Sequence, residues 1–399
     1  MEFIELCRAA SNSDVEGDID PYPTLAWLRS ELPVSKVPGP DGVDSVWFVT
    51  SHELVQACLS DPRLSFDPRN ARESHPAGRE PYLLAKDAPD HTRLRRVVSA
   101  AFGPGALERL RPSIMATCQR HITTFAERGE ADLLAEYAWY IPEAAISTLL
   151  GIPDELRLPA GRGTTLTLAA TLLEQTSGGP ATDELWAYVD MFLTARARRP
   201  GNDLTGVLLA AVERGELSAD EASGMAYVLY TTAQFSTAAL MATALLHILA
   251  DPAERSRRPS GPRGWRPVVE ETLRHASPVQ STMPRYALTE LELGGEQIAQ
   301  GDAVVLSTAG ANRDPSRFDR PDEFHAESKR RTTHLGFGYG AHFCLGAPLA
   351  RLEAEIALDT LFRVVPSVRL AVRPEEITWG LGPMLRYPRA VPVSFDPNP

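Results

Sequence analysis

The apolar positions of this chain recur mostly every three or four residues, the spacing of helices that bury one face. TLAWLRSEL (24–32), SHELVQACLSD (51–61), the stretch that opens DAPDHTRLRRVV at Asp87, Pro112 to Arg128, and Pro142 to Leu150 all carry that period. Ser51 stands where an N-cap belongs, and Gly151 where a left-handed C-terminal cap belongs. SADE (Ser218 to Glu221) is a capping-box signal, and the apolar pattern it opens continues to about Ala250. From Met225 on, Thr231, Thr232, Gln234, Ser236 and His247 interrupt that pattern, so it predicts a buried core helix and not a membrane span. Alternation of period two marks SVWFVT (45–50) and STMPRYALTELELGGEQIAQGDAVVL, where Gly294-Gly295 predicts a hairpin turn. Asp67 to Lys86 is polar and reads as a long loop. Leu156 to Trp186 is Thr-, Gly- and Leu-rich with a break at Ser177 to Pro180, and DPAERSRRPSGPRGWRP is too rich in Pro, Gly and Arg for a good helix. The fold class is therefore mainly α with a smaller β-rich region.

Composition narrows this picture without changing it. The 399 residues are 43% hydrophobic and 23% charged, as in an ordinary globular protein. A formal charge of -12 argues against a general nucleic-acid binder. Lys36, Lys86 and Lys329 are the only lysines, so nearly all positive charge is arginine. Cys7, Cys58, Cys118 and Cys344 are scattered, with no paired spacing that suggests a disulfide framework or a chelate. With no basic-then-apolar leader pattern at the N-terminus, these features predict a cytoplasmic protein that engages neither membrane nor nucleic acid. Length alone allows two or three domains. The expected organisation is one domain over 1–399, with 1–20 a loosely attached arm.

Candidate chemistry concentrates in HLGFGYGAHFCLGAPLARLEAEIALDTL, residues 334–361. Phe337, Gly338, Gly340, His342, Cys344 and Gly346 form an F-G-x-G-x-H-x-C-x-G array followed by an amphipathic helix pattern. Glycines this dense permit sharp turns and close backbone approach to a ligand, and amide N–H groups can converge on one acceptor. A cysteine in such a loop, just ahead of a helix N-terminus, is biased toward thiolate. Lacking a second ligand at chelate spacing, it suits a single-ligand cofactor such as heme iron. A glycine-rich turn around a buried structural cysteine is the alternative.

This array resembles the cysteine-ligand loop of the cytochrome P-450 superfamily at each defining position, and LGAPLARLEAEIAL resembles its proximal helix. The resemblance extends from about residue 20 onward and implies the cytochrome P-450 fold with heme b as cofactor. It makes Cys344 the metal ligand and places Phe337, Gly338, His342 and Gly346 around the cofactor. His91 and Arg95, four apart in H-T-R-L-R, match the pair that binds a heme propionate, and Arg285 is a second candidate. Carboxylates on an otherwise apolar ring must be paired when buried. The competing readings are a solvated basic helix for His91 and Arg95 and a strand-edge surface arginine for Arg285. Glu271 and Arg274 match the family's E-x-x-R pair, which braces the segment before the heme loop. Gln280 to Met283 and Gly382 to Leu385 match pocket-lining segments.

Along the helix that would cross the distal face, the chain departs from the family pattern. Phe235 stands where the family usually has Asp or Glu, Ala233 where it has glycine, and Ser236, followed by Thr237, where it has threonine. The family's acid–alcohol pair delivers protons during dioxygen cleavage. Ser236 keeps a hydroxyl, whereas Phe235 cannot transfer protons. Protons can instead travel through ordered water and Ser236 or through a substrate hydroxyl, or the reaction can need fewer of them. The hydroxyls of Thr231, Thr232, Ser236 and Thr237 can also simply bond back to helix carbonyls. The resemblance implies O2-dependent hydroxylation or epoxidation of a small organic molecule, a specialised metabolite of polyketide or macrolide type. Oxidative C–C or C–O coupling and a low-turnover heme-binding scaffold are the alternatives. No dinucleotide-binding glycine motif is visible, so electrons are expected from a separate partner, which the resemblance implies is a ferredoxin with its ferredoxin reductase. Arg93, Arg96, Lys329, Arg330 and Arg331 are the expected basic docking face.

Overall fold

The computed structural model describes residues 20–38, 45–72, 83–161, 180–256, 259, 261–326, 333–381 and 384–397. The chain folds as two compact units: Met1–Ser74, Ala239–Cys344 and Leu370–Pro392 form the first, and His75–Ala238, Leu345–Arg369 and Val393–Pro399 the second.

The first unit holds most of the strands. Its main sheet runs in the order Val34–Pro38, Ser45–Val49, Ala303–Leu306, Arg285–Ala287, Leu64–Ser65. The first two strands pair antiparallel from Val34↔Val49 to Pro38↔Ser45, and the second pairs parallel with the third at Trp47↔Val304. Val49, Val55, Leu64, Val304, Leu306 and Leu335 are buried together against this sheet. Each such aliphatic side chain contributes roughly 1.5–3 kcal/mol by leaving water. Leu335 lies at the entrance to the glycine-rich loop, so the sheet core anchors that loop directly. The predicted hairpin forms between Leu291–Leu293 and Glu296–Ile298, with Gly294 and Gly295 both at positive φ.

The helix at 51–61 forms as His52–Ser60, but Ser51 does not cap it with its side chain. Asp314 does so instead: the His52 amide donates to its carboxylate at 2.8 Å. That carboxylate is held below the ordinary Asp range chiefly by hydrogen bonds from His52 and Ser316, which outweigh its burial.

The second unit is helical. The helix Ala347–Val364 turns Leu349, Leu352, Ile356, Leu358 and Leu361 into the core and packs on Arg111–Phe125 and Tyr140–Leu150. The Tyr137 hydroxyl donates to the Ala357 carbonyl at 2.8 Å. Gly151 ends the helix Tyr140–Leu150 at φ 67, as its position predicts. The capping box at Ser218 and Glu221 forms with both of its hydrogen bonds.

The long helix it opens is not continuous. It runs Ala219–Thr232, breaks at Ala233 and Gln234, and resumes at Phe235–Ala250. By length and composition Ala219–Ala250 could cross a membrane, yet 78% of its most apolar window is buried. It is a core helix. Among its described residues, the arginine-rich stretch after it contains one short helix, Pro252–Ser256, and a 3-10 turn, Pro262–Trp265. Residues 1–19 of the expected N-terminal arm and 162–179 of the Thr-, Gly- and Leu-rich stretch lie outside the described residues.

Candidate functional site

Within the first unit, the E-x-x-R pair is a closed polar network. Arg274 and Glu271 are both buried and meet in a fork, Nε to Oε2 at 3.0 Å and Nη2 to Oε1 at 2.7 Å. Arg274 also donates to the carbonyls of Asn312 (3.2 Å), Pro321 (2.7 Å) and Glu323 (2.8 Å), while Glu271 accepts from the His325 amide at 2.8 Å. A buried ion pair is tolerable when its remaining donors and acceptors are satisfied in this way. The neighbouring Arg313 donates from Nε to the His275 carbonyl at 2.8 Å. The cysteine loop leans on the same helix, Arg266–His275. His334 contacts the Glu270 carboxylate at 3.1 Å, and the Leu335 amide donates to the Asn312 side chain at 2.7 Å.

The loop then turns twice through glycines at positive φ, Gly338 (72°) and Gly340 (77°). At Gly340 space matters too, because an added Cβ would lie 3.2 Å from the Leu59 carbonyl oxygen. Several loop amides close the turn itself: Gly338 donates to Leu335 at 2.9 Å, and Cys344 to Phe337 at 2.9 Å. Gly346 begins the helix Ala347–Val364 as its N-cap at an ordinary φ of -77, so it needs no left-handed geometry.

Cys344 is exposed, whereas Cys58 and Cys118 are buried. Burial pushes both of those thiols up to about 12, which leaves them poor thiolates. The buried-cysteine reading therefore fails for Cys344. Among the described residues no three His, Cys, Asp or Glu side chains gather to hold a bare metal ion. An accessible thiol outside any such cluster fits a metal that arrives inside a macrocycle with its other ligands, as heme iron does.

The predicted carboxylate partners are placed in both units. Arg285 is 2% exposed on an interior strand, not at a sheet edge, and its Nη1 donates to the Cys58 carbonyl at 2.8 Å. His342, in the loop, stacks on Phe66 with ring centroids 3.8 Å apart. In the second unit, His91 is buried and Arg95 half-buried on the helix Asp90–Ser99, so this is not a solvated basic face. Burial first, and the Arg95 charge second, lower the His91 pKa and favour a neutral N–H donor. Taken in its own unit, Arg285 is a buried cation, and His91 with Arg95 a buried N–H beside a half-buried cation; each is a donor that fits a heme carboxylate.

The expected basic docking face is reduced. Arg93 is engaged by Glu221 at 2.5 and 3.1 Å and by the Glu216 carbonyl at 2.9 Å. The capping-box glutamate thus fixes a side chain expected to face a partner. Arg96 is exposed, and Lys329, Arg330 and Arg331 lie outside the described residues.

At the helix break, also in the second unit, the hydroxyls turn inward on their own helix. Thr231 donates to Tyr227 at 2.9 Å, Thr232 to Val228 at 2.6 Å, and Ser236 to Thr232 at 3.3 Å. Thr237 is buried, and Ala233 ends the preceding helix in ordinary αR geometry. Phe235 is buried, 5.6 Å from the Trp139 ring. The side-chain amide of Gln234 donates to the Tyr230 carbonyl at 3.0 Å. The anticipated pocket segments meet in the first unit: the Gln280 backbone amide donates to the Met384 carbonyl at 2.7 Å, and Val279 bridges Leu385. Gly382 and Pro383 lie outside the described residues.

Two features escaped sequence reasoning, the ring of Phe66 beneath Arg285 and the helix break. Neither has a local sequence signature.

The cytochrome P-450 family model matches residues 266–365, the span that carries the E-x-x-R network and the cysteine loop. The chain is 34% identical to the cytochrome P-450 monooxygenase PikC of Streptomyces venezuelae over 94% of this chain and 91% of the relative. It is also 34% identical to the mycinamicin IV hydroxylase/epoxidase of Micromonospora griseorubida, covering 97% and 98%. The crystal structure of a myxobacterial cytochrome P-450 in complex with myristic acid superposes with a TM-score of 0.88 at 33% identity, covering 99% of both chains. An exposed cysteine in a glycine loop, a braced E-x-x-R pair and full-length likeness converge on one assignment: the chain belongs to the cytochrome P-450 family, monooxygenases whose cofactor is heme b.

Proposed function

We propose that this protein hydroxylates or epoxidises a specialised metabolite of polyketide or macrolide type in the cytoplasm, with electrons from a ferredoxin and its reductase, and that its two units act as one domain. The exposed Cys344, alone among the described cysteines, carries the reading as the heme-iron ligand. Heme b supplies dioxygen activation when bound. Gly338 and Gly340 give the loop its turns, and Phe337, His342 and Gly346 flank the cofactor. His91, Arg95 and Arg285 pair with its carboxylates, and Glu271 with Arg274 holds the chain that leads into the loop. Gln280, Ser281 and Met384 face the substrate, which must carry some polar groups to satisfy them. Relatives named for polyketide biosynthesis, PksS of Bacillus subtilis, and for hydroxylation or epoxidation of mycinamicin IV support this reading.

One observation favours a second reading, oxidative ring closure or C–C or C–O coupling without oxygen insertion. Phe235 is packed against Trp139 where the family usually has an acid, and Ser236 spends its proton on the Thr232 carbonyl. Oxygen insertion and coupling each draw two electrons and two protons per dioxygen from outside the substrate, so this reading rests on the departure from the family's proton-delivering turn and not on a smaller proton demand. Product mass separates the two: gain of one oxygen supports hydroxylation or epoxidation, and loss of two hydrogens supports coupling. A purified protein with no thiolate-type absorbance shift on reduction and carbon monoxide binding would sink both and leave the scaffold reading.

A further inference from the structure

The strand Leu64–Ser65 pairs antiparallel with Arg285–Ala287, Leu64 opposite Ala287 and Ser65 opposite Tyr286. Continuing that register brings Phe66 beside Arg285. The Arg285 guanidinium lies over the Phe66 ring, 4.1 Å from its centroid. The His342 ring stacks on Phe66 as well, 3.8 Å between centroids and 30° between planes. Arg285, Phe66 and His342 therefore form a ring-centred contact chain that joins a central strand to the cysteine loop.

The end of the helix His52–Ser60 ties the same parts together a second time. Arg285 donates to the Cys58 carbonyl at 2.8 Å. Gly340 approaches so closely that an added Cβ would meet the Leu59 carbonyl at 3.2 Å. Carbonyls at a helix C-terminus carry the negative end of its dipole, which favours a cation there. The aromatic face favours that cation too. An arginine stem is long and loses much rotamer freedom when fixed. The ring and the carbonyl together remove that freedom before any ligand binds.

We infer that Phe66 is the positioning residue that holds Arg285 and His342 in one fixed arrangement for the carboxylates of the cofactor. The inference rests on the heme reading above. Phe66 need not touch the cofactor itself. Its effect passes through the two polar side chains, as outer-shell groups act on first-shell ligands.

The test uses holoenzyme of the wild type and the Phe66→Met, Phe66→Leu and Phe66→Tyr variants. Heme release to an apo-globin acceptor, the midpoint reduction potential and the propionate bending modes in the resonance Raman spectrum are measured. Phe66→Leu is expected to release heme roughly tenfold faster than wild type, in the range of outer-shell substitutions, with shifted propionate modes and a shifted potential. Phe66→Tyr keeps the ring and is expected to restore all three. Phe66→Met fills most of the volume without a ring, so it carries the test if the leucine variant does not fold. Release rate, potential and propionate modes all equal to wild type in a ring-less variant, alongside a normal thiolate spectrum, would overturn the inference. A wild type without that spectrum would overturn the heme reading with it.

Discussion

The network around Arg274 and the helix break at Ala233–Gln234 use polar groups in opposite ways. Arg274 reaches across the first unit, joining Glu271 on its own helix to carbonyls at Asn312, Pro321 and Glu323. At the break, Thr231, Thr232 and Ser236 return their hydroxyls to carbonyls three or four residues behind them on the same helix. The first arrangement fixes distant segments against one another. The second alters only the local course of one helix, since back-bonding competes with the ladder and bends it. A framework that must hold a cofactor loop needs long-range, fully satisfied charge. A segment whose hydroxyls close on their own helix can be retuned by single substitutions without loosening anything else.

The contrast is broken most severely at the cysteine. Cys344→Ala is expected to abolish the thiolate spectrum completely while the fold, whose cores do not include Cys344, persists. Carbon monoxide difference spectra and circular dichroism check the two halves, and an unchanged spectrum would remove Cys344 as ligand. The next largest effect is expected at the network. Arg274→Ala would leave the Glu271 carboxylate buried without its guanidinium, a loss of about 3–5 kcal/mol. Denaturant titration should show a lower midpoint and a smaller retained heme fraction. A midpoint within error of wild type would mean that the pair braces nothing.

Acid sharpens the comparison at a third place in the first unit. His247 and His275 lie edge to face at 5.1 Å, and His247 stacks on Phe324 at 4.5 Å. Burial is the leading cause that lowers them to about 3 and about 2, with Arg313 adding to it. Both folded values lie below the ordinary imidazole value of 6.5, so the unfolded chain binds protons that the folded chain refuses. Stability is therefore present in full above that value and declines as pH falls from there toward 3. The slope is up to about 1.4 kcal/mol per pH unit for each imidazole. His247→Leu should flatten the decline between pH 7 and 5. Denaturation curves at the two pH values measure it, and an equal decline in the variant would remove His247 as its source.

How much of this was legible in the sequence follows from how far each interaction reaches along the chain. The glycines at 338 and 340, the cysteine that follows them and Glu271 with Arg274 announce themselves, because left-handed turns and a charge pair one helical turn apart need particular residues at fixed spacing. The capping box at Ser218 and the Gly151 cap are local as well. Ser51 looked equally local, yet the carboxylate that caps that helix is Asp314, brought in by the tertiary fold. Phe66 is an ordinary phenylalanine until strand pairing sets it beneath an arginine more than two hundred positions away. The break at Ala233–Gln234 contains neither glycine nor proline. Its residues tolerate a helix, and the competing hydrogen bond from Gln234 to Tyr230 becomes visible only once both are placed. The ion pair of Arg93 was not legible because its partner, Glu221, already had a role as the capping glutamate.

The smallest expected effect, and the one that decides how the break works, is at Ser236. Its hydroxyl is half-buried and donates to Thr232 at 3.3 Å, a long bond that a better acceptor could displace. Removing it leaves the Thr232 carbonyl with one donor fewer, a net change of about 0.5–1.5 kcal/mol. Ser236→Ala should therefore shift thermal stability only slightly. If the hydroxyl also passes protons during turnover, the fraction of electrons lost as peroxide should rise severalfold with substrate bound. Phe235→Glu gives the opposite test. It restores an acid at the family's position but sets it against Trp139, where a charge must be desolvated. Its benefit, a lower peroxide fraction, should appear only if the carboxylate swings off that ring, and its stability should fall more than that of Ser236→Ala. A peroxide fraction unmoved in both variants would show that protons do not travel through this turn. The Phe235–Trp139 contact would then be packing, and the protons would arrive by another route, such as a hydroxyl of the substrate.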